Sequence, residues 1–170
     1  MEPSKLPEPW LRDTLTEVPA VQRAVLHALE LAKEDLERWC GSLSDEEFNA
    51  RPAGLAPVAF HLRHIGRSLD RLLTYAEGNQ LSGEQVAELK TELDPGATRH
   101  ELFAELTVAF TKSVARVRAI DAEHLEQRRA VGKKELPATV AGLLVHVADH
   151  TQRHTGQAVT TSKFVLAQRR

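Results

Sequence analysis

Apolar side chains recur at helical spacing in four long stretches of this chain, and strict alternation is sustained nowhere. In the first stretch Val21, Val25, Leu29, Ala32, Leu36 and Trp39 fall three or four residues apart, and Gly41 stops them. The spacing predicts a helix opening near Thr16, with Pro19 in its first turn, where a missing N–H is no loss. Val58, Leu62, Ile65, Leu69, Leu72 and Leu73 mark a second helix, expected over 57–76 and closed by Gly78-Asn79. Leu102, Leu106, Ala109, Val117 and Ile120 face inward in a third. Val140, Leu143, Leu144, Val147, Thr151, Ala158 and Val165 do so in a fourth, expected over 138–166.

Polar punctuation separates these stretches. Ser44 with Glu47, Ser82 with Gln85, and Thr98 with Glu101 have capping-box spacing. The first two predict short helices in the links, and the third opens the helix that runs to Ile120. Pro52-Ala-Gly54 and Asp94-Pro-Gly96 break the chain. Residues 1–15 read as an irregular arm, and Asp121 to Pro137 as a polar connection with Gly132-Lys-Lys134 at its tip. Four long amphipathic helices without a convincing strand pattern predict an all-α protein built as a four-helix bundle, one domain over 1–170. Links of about 15 to 20 residues are longer than plain hairpins need and allow crossover connections.

The composition narrows the function classes. Twenty-two basic and 24 acidic side chains give a formal charge of −2, so no basic footprint for nucleic acid exists. The doublets Arg128-Arg129, Lys133-Lys134 and Arg169-Arg170 read as solvated loop and tail charges. No apolar run reaches the length of a membrane span, and Met1-Glu-Pro-Ser-Lys-Leu-Pro is unlike a secretory leader. The single cysteine, Cys40, follows Trp39 at a helix end and is expected to be structural. It cannot form an internal disulfide, which fits a reducing compartment. A cytoplasmic protein with no membrane and no nucleic-acid partner is the expectation.

Five of the eight histidines fall in two short segments. His146, His150 and His154 stand four residues apart, and each step of four turns a helical side chain by only about 40°. All three therefore leave one side of the last helix, as ligands to one transition metal would. Measured from the centre of the apolar face, His154 lies about 40° off, His150 about 80° and His146 about 120°. His150 and His154 border the buried face, and His146 is the least inward. Thr151 stands where a zinc protease would place a glutamate base, which excludes that class.

A third ligand is expected from His61 or His64 on the second helix. By angle His61 lies about 60° from the apolar stripe and His64 about 120°. Periodicity slightly favours His61 without deciding the matter, because a metal can sit to one side of the core. Three imidazoles with no acidic ligand suit zinc or nickel and leave the metal's shell open. Asp70, Asp149 and Gln157 are candidate acceptors for the far ring nitrogens.

Phe60-His-Leu-Arg-His-Ile-Gly-Arg-Ser-Leu-Asp-Arg71, His150-Thr-Gln-Arg-His154-Thr-Gly-Gln157 and Ser44-Asp-Glu-Glu-Phe-Asn-Ala-Arg-Pro-Ala-Gly54 together resemble the DinB-like (YfiT-like) metalloenzymes. The resemblance covers about residues 18 to 165, and its most specific part is the closing His-x-x-x-His-x-Gly-Gln. It implies an up-down-down-up four-helix bundle with nickel or zinc on three histidines, which map here to His64, His150 and His154. His61 and His146 then become pocket or supporting residues.

The resemblance further implies a thiol-dependent S-transferase or isomerase, with a low-molecular-weight thiol as cosubstrate and a small-molecule substrate. Arg67, Arg71 and Arg153 are candidates to receive an anionic group. The alternatives are a metal-dependent hydrolase using metal-bound water, and a non-catalytic metal-binding or dimeric interaction protein. Helical bundles of this size often pair through an exposed apolar face, so a homodimer is the expected form of any self-association.

Overall fold

The structure, a computed structural model, describes residues 6–169. The first five residues of the expected arm and the last of the basic tail lie outside them. Among the described residues six α-helices follow one another: α1 Ala20–Cys40, α2 Asp45–Asn49, α3 Val58–Ala76, α4 Gly83–Glu88, α5 Arg99–Ala119 and α6 Val140–Ala167. Two four-residue strands, β1 Arg128–Val131 and β2 Leu136–Thr139, intervene before α6. The protein is mostly helical, as the periodicity requires.

The apolar stripes become the core. Val25, Leu29, Ala32, Leu36 and Cys40 of α1 meet Val58, Leu62, Ile65, Leu69 and Leu73 of α3. Leu102, Leu106, Phe110 and Val117 of α5, and Val140, Leu144, Val147 and Ala158 of α6, complete it. Each fully buried Leu or Ile contributes about 1.5–3 kcal/mol relative to exposure. Phe48 of α2, wholly buried, plugs one end of this core and lies 5.9 Å from the Phe103 ring.

Polar cross-links give the relative directions of the long helices. Gln152 Nε2 donates to Ala28 O and Ser162 Oγ to Trp39 O, so α1 and α6 run parallel. Arg116 reaches Asp70 and Glu77, while Gly66 faces Ala109, so α3 and α5 run parallel. Thr161 Oγ1 donates to Ala56 O and His64 faces His150, so α3 and α6 are antiparallel. Gln22 Nε2 donates to Ile120 O at one end of α1 and α5, and Arg99 donates to Gly41 O at the other, making that pair antiparallel.

All three capping boxes close in both directions, at Ser44–Glu47, Ser82–Gln85 and Thr98–Glu101. Three expectations need correction. The first helix starts at Ala20, with Pro19 as its N-cap, because a residue before proline is driven out of the helical region and the helix cannot pass back through Val18. The arm is not wholly irregular: Pro9–Leu11 make a 3₁₀ turn, and Arg12 ties it to Glu30 and Glu34 of α1. The third correction concerns the polar connection, which contains a β-hairpin pairing Arg128 with Thr139 through Val131 with Leu136. Strands of four residues are too short to display a period of two, and Pro137 is tolerated because the two-stranded sheet has only edges. The last helix consequently begins at Val140, after the second strand, rather than at Ala138.

No helix among the described residues is long and apolar enough to cross a membrane.

Candidate metal centre

The antiparallel crossing of α3 and α6 brings four histidines together. His61 and His64 come from α3 at a spacing of three, and His150 and His154 from α6 at a spacing of four. Both spacings put neighbours on one helix face. His64 Nε2 stands 3.3 Å from His150 Nε2, and His61 Nδ1 stands 3.1 Å from His154 Nδ1. Ring centroids separate His64 from His154 by 4.3 Å and His150 from His154 by 4.6 Å. One nitrogen each of His64, His150 and His154 falls within 4.8 Å of the other two. His61 is buried, whereas the other three are half-buried and reach toward solvent. The Phe60 ring stacks on His64 at 5.2 Å between centroids and shields that side.

The electrostatics keep three of these imidazoles, those of His61, His150 and His154, neutral. Burial, followed by the neighbouring His154 and His64, pushes His61 down to about 4. Burial also brings His150 to about 4, with His154, His64, His146 and Arg153 adding to the effect. His154 falls to about 4 for the same leading reason, and Glu92 opposes the shift only in part. At neutral pH these rings offer lone pairs rather than positive charge, the form in which a metal takes them.

The spacing also fits an ion. Nitrogens bonded to zinc at about 2.0–2.1 Å in a tetrahedral shell sit about 3.3 Å from one another. That is the separation found between His64 Nε2 and His150 Nε2. Two imidazole nitrogens at such a distance need either a shared proton or a cation between them.

The remaining expected residues are placed as follows. His146 is half-exposed and pairs with Asp149, Nδ1 to Oδ1 at 2.9 Å, with its ring 5.4 Å from that of His150. Arg67 does not reach for solvent: it donates to Glu88 O and Thr91 Oγ1. Arg71 is buried and bonds Glu92 and Ser68. Arg153 alone of the three arginines is exposed, touching Asp149 at 3.4 Å. It lines a cavity of about 460 Å³ with Leu55, Ala56, His61, Gln157 and Thr161. A larger cleft of about 610 Å³ runs between α3 and α5 along Leu62, Gly66, Leu106 and Ala109, and none of the histidines lines it.

Of the three acceptors expected from the sequence, Asp70 is engaged by Arg116 and Gln85, and Asp149 serves His146 and Arg153. The acceptor that does meet a clustered histidine is Glu92, which sequence reasoning missed. Its Oε2 lies 2.7 Å from His64 Nδ1 and its Oε1 accepts from Arg71 Nη1 at 2.8 Å. Burial alone would raise the Glu92 carboxyl, but the hydrogen bonds from His64 and Arg71 outweigh it and hold the pKa below the ordinary value. Glu92 follows a 3₁₀ turn, Leu89–Thr91, in a link without periodicity, so nothing in the sequence pointed it inward.

A family model described as the DinB superfamily matches residues 28–158 of the chain. No curated protein matches it. A solved structure described as the crystal structure of the conserved protein of locus from Enterococcus faecalis superposes with a TM-score of 0.71. The superposition covers 88% of this chain and 99% of that one, at 21% identity, a likeness that speaks to the fold.

Proposed function

The chain belongs to the DinB superfamily, and on that premise we propose that it is a metal-dependent enzyme of the thiol-dependent S-transferase or isomerase type. In this reading His64, His150 and His154 hold one divalent ion, and a low-molecular-weight thiol acts with a small-molecule substrate. The observation that carries it is the convergence of three imidazoles from two helices within 4.8 Å of one another. A donor set of imidazoles without a carboxylate suits zinc or nickel. Three protein ligands leave room in the shell, as catalytic sites do and structural ones do not. When bound, a divalent ion lowers the pKa of a thiol enough to supply a nucleophile near neutrality.

The chain's own residues have separable tasks. His61 backs His154 through the contact between their Nδ1 atoms and so orients that ring. Phe60 covers His64 and keeps water from one side. Arg153, exposed beside the cavity that His61 lines, offers a planar cation to an anionic thiol or substrate. We read the four long helices as one up-down-down-up bundle forming a single domain. The parallel pairs α1–α6 and α3–α5 and the antiparallel pairs α3–α6 and α1–α5 support that topology.

Metal analysis of protein purified without a histidine tag tests the ligand set. The expected outcome is stoichiometric zinc or nickel in the wild type and in His61→Ala, with loss in His64→Ala, His150→Ala and His154→Ala. Metal lost from His61→Ala but kept by His64→Ala would replace one ligand by the other. For the reaction, metal-loaded protein is given small thiols and monochlorobimane. Conjugation above the His154→Ala background is expected, and its absence with every thiol removes the transferase.

A further inference from the structure

Arg63, Arg67 and Arg71 stand four residues apart on α3, and all three reach the same link. Arg63 Nη1 contacts the carbonyls of Thr91, Glu92 and Asp94, the last at 2.8 Å. Arg67 holds Glu88 O and Thr91 Oγ1, and Arg71 holds the Glu92 carboxylate. A guanidinium presents several donors in a rigid fork, so Arg63 and Arg67 fix the backbone of the link while Arg71 fixes the Glu92 side chain. The segment from Glu88 to Asp94 is thus clamped along α3, and Glu92, only 6% exposed, is carried inward to His64.

A carboxylate accepts hydrogen bonds and cannot donate them. Nδ1 of His64, 2.7 Å from Glu92 Oε2, must therefore carry the ring proton. The lone pair is then confined to Nε2, the atom that faces His150 Nε2. Glu92 cannot swing away, because its other oxygen accepts from Arg71, whose Nη2 donates in turn to Ser68 Oγ at 3.0 Å. Resting on the reading of His64 as a ligand, we propose that Glu92, held by the arginine clamp of α3, is the positioning residue that sets the tautomer and orientation of His64. Carboxylate partners of this kind commonly govern metal affinity through the ligand they orient. Nothing in the histidine spacing distinguishes His64 from His61. Glu92 does, since it bonds the first and not the second.

Glu92→Gln tests this directly. The amide oxygen can satisfy only one of the two donors, and the buried Arg71 cation takes it. The amide N–H₂ then faces His64 Nδ1, makes that nitrogen the acceptor, and moves the ring proton to Nε2. Zinc affinity by chelator competition should fall about 10- to 100-fold. In metal-free protein, ¹⁵N shifts of the His64 ring should report Nδ1–H in the wild type and Nε2–H in the variant. A merely structural role for Glu92 would not exchange the tautomer. Unchanged zinc affinity, or a fall in affinity with the tautomer unchanged, overturns the proposal. Should Glu92→Gln not fold, the double variant Arg71→Met with Glu92→Met leaves no buried charge unpaired. It should show the same loss, and wild-type affinity in it equally overturns the proposal. If the wild type binds no zinc, the ligand reading fails, while the tautomer comparison still decides the role of Glu92.

Discussion

At His61, His150 and His154 burial disfavours the imidazolium and brings each pKa to about 4, so a metal would not have to displace a proton at neutral pH. Burial acts on the only cysteine in the opposite sense. Cys40 lies fully inside the core, and its thiol is pushed up to about 12, with a weak opposing bond to Ser162. The chain therefore has no thiolate of its own near neutrality, and any sulfur nucleophile must arrive with a cosubstrate. Glu47 shows what an exposed partner does instead. The Arg169 guanidinium, then the Ser44 backbone N–H, hold its carboxyl down at about 2. A depressed folded value means that the contribution of Glu47 is fully present above the unfolded pKa of 4.5 and is lost as pH falls toward 2. An NMR titration of the Glu47 carboxyl should place its midpoint near 2 in the wild type and higher in Arg169→Gln. A wild-type midpoint at the ordinary value would show that the pair does not form in solution.

Among elements, α3 is used on both sides, and Gly66 marks the second one. A Cβ there would stand 3.3 Å from Ala109 Cβ and 3.9 Å from Leu106 Cδ1, so α3 and α5 approach closely enough that even a methyl would push its neighbour by a few tenths of an ångström. Gly66→Val gains a few tenths of a kcal/mol in helix propensity. It loses about 1–3 kcal/mol by overpacking, and the loss wins. Urea melts should show the variant less stable by roughly that difference, and a variant as stable as the wild type would mean that the helices are free to part. The same two-sidedness explains what the sequence could and could not tell. Periodicity located the four long helices, and the capping boxes located the starts of the short helices α2 and α4 and of the long α5, because both signals are local. It also put His150 and His154 at the border of the buried face. It could not choose between His61 and His64, because angles are measured from the core axis whereas the cluster sits at the seam with α6. Glu92 was out of reach for a related reason: it lies 28 residues from His64, on a link whose course is set by three arginines of another element. The hairpin escaped because its strands are shorter than the window in which alternation can be read.

For the molecule as a whole, an ion on His64 and His150 would join segments 86 residues apart in the chain. The unfolded chain cannot hold that arrangement, so metal binding adds directly to folding stability by RT ln(1 + [L]/Kd). At free zinc 100-fold above Kd the gain is about 2.7 kcal/mol. For a domain of this length each kcal/mol moves the melting midpoint by about 2–4 °C, which predicts a rise of roughly 5–10 °C. Histidines of the unfolded chain compete for zinc and reduce the gain, so the comparison has to be internal. His154→Ala retains the other histidines and removes one half-buried ring from the cluster. It should fold, keep any weak affinity of the unfolded state, and lose most of the zinc-dependent shift. Addition of a chelator should return the wild type to the midpoint of the metal-free protein. An equal shift in His154→Ala and the wild type would place the stabilising ion elsewhere and leave the crossing of α3 and α6 as packing alone.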